Sequence, residues 1–138
     1  MTSSVSELRF LLEGLVSRTP GAIHALLLSS DGLKMDNTSG LTVDSADQLA
    51  AIAAGMQSLS IGASAEFGDG SGGGVLQSMT QFPGGILFIV AAGMGAHLAV
   101  IAQENADAGL IGHNMQELVE QMSHHLMAAP RFGGASVS

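Results

Sequence analysis

A chain of 138 residues suits one domain with a sizeable core, and 46% of its residues are apolar. Four Lys and Arg against twelve Asp and Glu leave a net charge of −8, which argues against nucleic acid or anionic lipid as a partner. With no Cys, disulfides, thiolate metal sites and thiol nucleophiles are excluded.

The first ten residues, MTSSVSELRF, lack the basic start, apolar stretch and cleavage site of a signal peptide, so a cytoplasmic location is expected. Ser4-Val5-Ser6-Glu7 is a capping-box pattern, and Leu8, Leu11, Leu12, Leu15 and Val16 follow at helical spacing. Thr19-Pro20-Gly21 ends this helix, because Pro disfavours helix in the residue before it and Gly permits a turn. Ala22 to Ser29 is short, apolar and bounded by turn residues, which predicts a mostly buried strand. Ser30-Asp31-Gly32 is a hairpin signal, and Leu33-Lys34-Met35 begins a short return strand before a loop at Asn37–Gly40.

A long helix is predicted from Asp44 to Phe67, capped by Thr42 or Asp44, with Asp44 and Asp47 near its positive end. At about 100° per residue, Leu49, Ile52, Ala53, Met56, Leu59 and Ala63 share one side, the expected core face. The opposite side carries Ala51, Ala54, Gly55, Ser58, Gly62 and Ala65, almost nothing but small residues. A solvated face would carry Glu, Lys and Arg, yet no charge lies between Gln48 and Glu66. Small residues in such a row let another backbone come close. The helix is therefore expected to pack on both sides, by its own sheet and by a helix of another subunit; a small-residue face turned to water is the plainer alternative.

Gly68 to Gly74 reads as a flexible connector, and Val75 to Phe82 as a strand with one wet or paired side. From Ile86 to Ala102 run 17 residues without a charge, but Gly93-Met94-Gly95 divides them and no basic flank follows. Two buried strands joined by a Gly turn fit better than a membrane span, so the last three strands form an antiparallel meander. A final helix runs from about Asp107 to Ala128, with Ile111, Met115, Leu118, Val119, Met122 and Leu126 on one face. The domain thus covers 1–129, and 130–138 reads as a disordered tail.

Motifs for chemistry are scarce. Gly68-Asp69-Gly70-Ser71-Gly72-Gly73 matches GxGxxG, but the dinucleotide fingerprint needs a strand before it and a helix after it, and here the order is helix, loop, strand. Neither a GxxxxGK[ST] loop nor a GxSxG elbow occurs. His113, Glu117, Glu120 and His124 make one stripe on the last helix, a spacing that can bind a metal, although it lies where a solvated polar face belongs. His24 and His97 lie within apolar strands and read as strand-edge or satisfied core histidines. No catalytic residue, cofactor or metal is assigned.

Several stretches together resemble one family, the roadblock (dynein light-chain) domain, above all its actinobacterial branch. Thr19-Pro20-Gly21-Ala22-Ile23-His24-Ala25 with Ser29-Ser30-Asp31-Gly32-Leu33 resembles that branch's first strand and S-x-D-G-L hairpin. Ala46-Asp47-Gln48-Leu49-Ala50-Ala51 through Gly55, Ser58-Leu59 and Gly62-Ala63 resembles its central helix. Gly85-Ile86-Leu87-Phe88-Ile89, Leu98-Ala99-Val100-Ile101-Ala102 and Asp107-Ala108-Gly109-Leu110-Ile111-Gly112 resemble the later strands and the opening of the last helix. The chain departs from the pattern in its longer Gly-rich loop, in His113-Asn114 where an aromatic is usual, and in the missing N-terminal Trp.

The resemblance implies an α+β, profilin/roadblock-like fold of order α-β-β-α-β-β-β-α. Its five-stranded antiparallel sheet would carry the long helix on one face and the terminal helices on the other. It also implies a homodimer paired through the long helix and the third strand into a ten-stranded sheet. Ala51, Ala54, Gly55, Ser58, Gly62, Ala65, Val75, Gln77 and Met79 are the interface residues expected from it. Such a dimer would serve as a platform for a small Ras-like GTPase, with a sensor-kinase-like protein of the same system as a further partner. An arginine finger is worth roughly 10³–10⁵ in rate, but Arg9, Arg18 and Arg131 all lie off the central helix, so a non-enzymatic scaffold or regulator is expected. The alternative is a small-ligand-sensing or general interaction module, with a pocket near His24 or His97.

Overall fold

The uncharged apolar runs at Ala22–Ser29 and Ile86–Ala102 become the middle of a five-stranded antiparallel sheet, buried on both of its faces. In chain order the elements are α1 (Ser3–Arg18), β1 (Ala22–Ser29), β2 (Lys34–Asn37), α2 (Val43–Phe67), β3 (Gln77–Phe82), β4 (Gly85–Gly93), β5 (Ala96–Ala102) and α3 (Ala108–Ala128). The strands lie in the order β2-β1-β5-β4-β3. The computed structural model describes residues 3–71 and 74–128, with side chains over 7–71 and 74–123. The N-terminal capping box, the Leu126 side chain and the expected tail lie outside that range.

On one face of the sheet, Leu8, Leu12 and Leu15 of α1 and Ile111, Met115, Leu118 and Met122 of α3 close over Leu27, Phe88, Val90, Leu98 and Val100. Each fully buried Leu or Phe contributes about 1.5–3 kcal/mol. On the other face, α2 lies over Leu26, Leu28, Leu87, Ile89 and Ala99. The expected α+β layering, with one helix on one face and two on the other, is what the chain adopts.

Thr42 caps α2, its hydroxyl accepting from Ser45 N at 3.1 Å, and Asp107 caps α3, its Oδ1 accepting from Leu110 N at 3.1 Å. Both satisfy amides that a helix start leaves without partners. Gly21 is required twice over: its φ is +89°, and a Cβ there would lie 2.6 Å from Ala106 Cβ. The β4–β5 turn is left-handed through Gly93, Met94 and Gly95, with Met94 at φ 56°. The uncharged run of the sequence is thus two strands and a Gly turn. Among the described residues no helix is long and apolar enough to cross a membrane.

Three expectations need correcting. The return strand starts at Lys34, not Leu33, and extends through Asn37, because Thr38 continues its ladder, donating to Ala25 O at 2.9 Å and accepting from Ala25 N at 3.1 Å. The third strand starts at Gln77, opposite Val90, rather than at Val75, whose partner in that register would be Ala92, within the Ala91–Gly93 irregularity of β4. The sheet-facing side of α2 is Ala46, Leu49, Ala50, Ala53 and Gln57, whereas Ile52, Leu59 and Ala63 are exposed and Met56 is half-buried. Alanines meet the sheet because they let the helix sit close upon it, so apart from Leu49 and the half-buried Met56 the larger apolar residues of α2 point elsewhere.

Candidate interaction surface

After Gln57, α2 buries no further side chain, although Leu59, Ile61, Ala63, Ala65 and Phe67 continue its apolar content to the end. Leu59 is 78% exposed, Phe67 84%, and Ile52 and Ile61 about half. A helix that is apolar all round is ordinarily a covered one. Leu76, just before β3, is as exposed as Phe67. No Asp, Glu, Lys or Arg occurs from 49 to 65 or from 70 to 103, so the face built by α2 and β3 has few charges, while the α1 and α3 side carries Glu7, Glu13, Glu117 and Glu120. Large uncharged apolar patches of this kind mark association surfaces.

Of the small-residue stripe, Ala51, Gly55, Ser58, Gly62 and Ala65 are exposed. A Cβ at Gly55 or Gly62 would meet nothing within 4 Å. Ala54 is half-buried instead, because the β1–β2 turn comes up against it: a Cβ at Gly32 would lie 3.5 Å from Ala54 Cβ. Val75 is half-buried and precedes the strand. Gln77 and Met79 pair with Val90 and Phe88 and so point to the α1/α3 side of the sheet, away from the stripe. Ser78, Thr80 and Phe82 are the β3 side chains on the α2 side. The two groups of expected interface residues therefore share a surface only along the open edge of β3.

The two edges of the sheet differ. β2 is four residues long, carries Lys34 and Asp36, and departs from register at Leu27/Leu28, all features that discourage a further strand. β3 pairs with β4 without a bulge over six residues that include no charge and no Pro, which leaves a template for strand addition.

Three polar contacts between distant parts of the chain went unforeseen, the third from the buried Asn114 Nδ2 to Thr19 Oγ1 at 2.8 Å. Gln57, at i+4 from Ala53 on the sheet side of α2, accepts from the Ser78 hydroxyl at 2.9 Å and lies 3.5 Å from His97 Nδ1. Burial pushes the His97 pKa below its ordinary value. Asp36, on β2, receives Arg9 Nε and Nη2 at 3.0 and 2.9 Å, which fastens α1 to the edge strand. Only the helical offset of Gln57 from Leu49 and Ala53 hinted at the first; nothing in the sequence hinted at the second.

The remaining candidates are dispersed. His113 and Glu117 form an exposed i,i+4 pair at 3.3 Å, Glu120 is exposed, and the His124 side chain is outside the described range. Among the described residues no three His, Asp or Glu side chains are grouped to hold a metal ion. His24 is half-buried beside Gly40, and its buried Nδ1 has no hydrogen-bond partner among the described residues, so of the two expected readings, strand-edge or satisfied core histidine, the second does not hold for it. The Gly-rich segment leads into β3 rather than a helix, and Ser71 N–H, donating to Asp69 Oδ1 at 2.9 Å, lowers the Asp69 pKa. A cleft of about 230 Å³ lies between this segment and Ile61, Ser64 and Ala65; another, lined by Arg18, Glu117, Glu120 and Gln121, lies by the end of α1. Neither is lined by His24 or His97.

The sequence profile of the Roadblock/LC7 domain matches residues 10–102. A Roadblock/LC7 domain from Streptomyces avermitilis is 42% identical, with a TM-score of 0.81 over 87% of this chain and 98% of that one. A second from the same organism is 36% identical, with a TM-score of 0.68 over 83% and 97%. The gliding protein MglB of Thermus thermophilus shares the fold at 19% identity, with a TM-score of 0.80 over 94% and 95%. No curated protein matches the sequence. Sheet order, helix placement and the Streptomyces relatives agree with the profile: the chain belongs to the Roadblock/LC7 domain family.

Proposed function

We propose that the protein is a cytoplasmic, non-enzymatic homodimer that acts as a scaffold or regulator of a small Ras-like GTPase, with a sensor-kinase-like protein as a further partner. The observation that carries the dimer is the uncovered second half of α2, which exposes Leu59, Ile61 and Phe67 among small residues and has no charge from 49 to 65. A twofold partner presents the same patch, so small residues on one α2 admit the other, and the open edge of β3 finds its equivalent. The GTPase rests on resemblance to the roadblock family and on the dimer's function there as a platform.

Arginine placement supports a scaffold over a catalytic donor. Arg9 is engaged by Asp36, and both Arg9 and Arg18 belong to α1, which packs on the sheet face opposite α2. A partner GTPase seated on α2 would keep its own catalytic groups and be repositioned by the contact.

Light scattering on wild type and Gly55→Glu tests the dimer first. A Cβ at residue 55 meets nothing in the protomer, so the glutamate leaves the fold intact while setting charge against charge across a twofold. A wild-type mass of two chains and a folded monomeric variant are expected. A monomeric wild type, or a variant that stays dimeric, removes the helix-paired platform. Pull-down of a GTP-loaded Ras-like GTPase by wild type but not by Gly55→Glu then tests the partner.

A further inference from the structure

Three side chains from distant parts of the chain meet where α2 leaves the sheet: Gln57, the last buried residue of α2, Ser78 of β3 and His97 of β5. We propose that they form a proton-sensitive latch, in which neutral His97 keeps β3 fastened to α2 and protonated His97 lets the two part. The latch rests on the reading of α2 and β3 as the dimer surface and adds a condition under which that surface opens.

As the amide stands, Gln57 gives its oxygen to Ser78 and its nitrogen to His97, so His97 Nδ1 accepts, which requires the neutral ring. A charged ring needs the amide turned, with Oε1 toward His97 and Nε2 toward the Ser78 hydroxyl, which reverses to accept; the contacts survive, but the charge stays buried. Among the described residues no counter-ion is at hand. α2 has no charge from 49 to 65, and β3, β4 and β5 have none. β1 offers Leu28 opposite His97 and, two rows away on the same face, His24. Lys34 of β2 lies opposite Leu28 in the same cross-strand row, and its charge has the wrong sign. Asp31, in the β1–β2 turn, is exposed and takes the Ser29 hydroxyl. A buried imidazolium here stays uncompensated, in keeping with its depressed pKa.

The way to water for a charged ring is set by what can move. β1 and β4 each have a strand on both sides and core on both faces. Within the protomer, before any pairing with a twin, β3 has one strand neighbour, and α2 beyond Gln57 buries nothing. Parting β3 from α2 is therefore the opening of lowest cost. The sign follows from linkage. His97 binds its proton less well in the closed form, so the latch is fully closed above the ordinary imidazole pKa. As pH falls from there toward the lowered value, the closed-to-open ratio drops by up to tenfold per pH unit.

Amide hydrogen exchange of β3, corrected for its intrinsic pH dependence, and mass by light scattering test this at about pH 7.5 and about pH 5.5. Wild type, His97→Gln and His24→Gln are compared. Protection of the β3 amides should fall several-fold in acid for wild type and His24→Gln and hold in His97→Gln, with the dimer weakening in step. An equal fall in His97→Gln, or no fall in wild type, overturns the latch. Should wild type prove monomeric at the higher pH, the dimer reading fails while β3 exchange still judges the latch. If His97→Gln does not fold, the NMR titration of the wild-type His97 ring and the loss of β3 protection must share a midpoint; separate midpoints overturn the proposal.

Discussion

From Val43 to Gln57, α2 lies on the sheet through Ala46, Leu49, Ala50 and Ala53; from Ser58 to Phe67 it buries no side chain in its own chain. Leu, Ile, Ala, Gly and Ser make up most of both stretches, and neither has a basic residue. What separates them is the sheet, which runs out beneath the helix near His97 and Ser78. The comparison teaches that apolar content alone does not say what a helix packs against. A second half that matches the first in composition, yet stands free, holds apolar surface in reserve for another molecule.

The sharpest way to break the comparison is to put the same charge into both halves. Ala50 is fully buried, so Ala50→Glu leaves an uncompensated buried carboxylate, at a cost of about 3–5 kcal/mol. That is a large share of a domain's stability of about 5–15 kcal/mol, and the melting temperature by circular dichroism should fall by about 10 °C or more. Gly55→Glu, one and a half turns on, should melt near the wild-type monomer. Equal damage from both would mean the halves are not distinct.

Truncation of two leucines ten residues apart sharpens the same point. Leu49 is 7% exposed and Leu59 78%. Leu49→Ala should cost about 2–5 kcal/mol in urea unfolding, from lost transfer energy and the cavity left behind. Leu59→Ala should change protomer stability by no more than about 0.5 kcal/mol. Its effect belongs instead to the concentration dependence of mass, where the dimer should dissociate more readily.

The layout of the fold was legible because its three central strands are apolar runs bounded by Gly turns, and its terminal helices have one clean apolar stripe each. The core side of α2 was legible only in part. Periodicity placed Leu49 and Ala53 on the sheet side and Met56 at its margin, but it also gave weight to Ile52 and Leu59, whereas the sheet takes Ala46 and Ala50, which permit a closer approach. Large side chains on a helix shared between two surfaces need not face its own core. The stripe of small residues was visible, yet Gln77 and Met79 turned out to face the other side of the sheet, since alternation along β3 fixes a side only once its register with β4 is known. Gln57, Ser78 and His97 lie 21 and 40 positions apart in their two contacts, beyond the reach of any local pattern.

Glycine-to-alanine changes divide the two views of the free half more finely. In a helix facing water, Gly55→Ala and Gly62→Ala should each stabilise by about 1 kcal/mol, because alanine loses less backbone entropy and nothing blocks its Cβ. In a helix packed closely on its twin, the added methyls keep the backbones apart. The expected result is both at once: a higher melting temperature at low concentration and a weaker dimer by light scattering.

The smallest effects come from the two ends. Thr42→Ala removes the cap on Ser45 N and should cost about 1 kcal/mol, with the dimer constant unchanged, since the cap serves the half that rests on the sheet. Ser64→Ala removes a 3.1 Å hydrogen bond to Gly74 O that ties the far end of α2 to the segment leading into β3. An exposed bond of that kind is worth about 0.5 kcal/mol or a little more. Its loss should barely register in unfolding by urea. Exchange of the amides near Gly74 and the dimer constant should respond instead, because both depend on how β3 is presented beside α2. If Thr42→Ala weakened the dimer and Ser64→Ala did not, the reserve of association surface would lie at the wrong end of the helix.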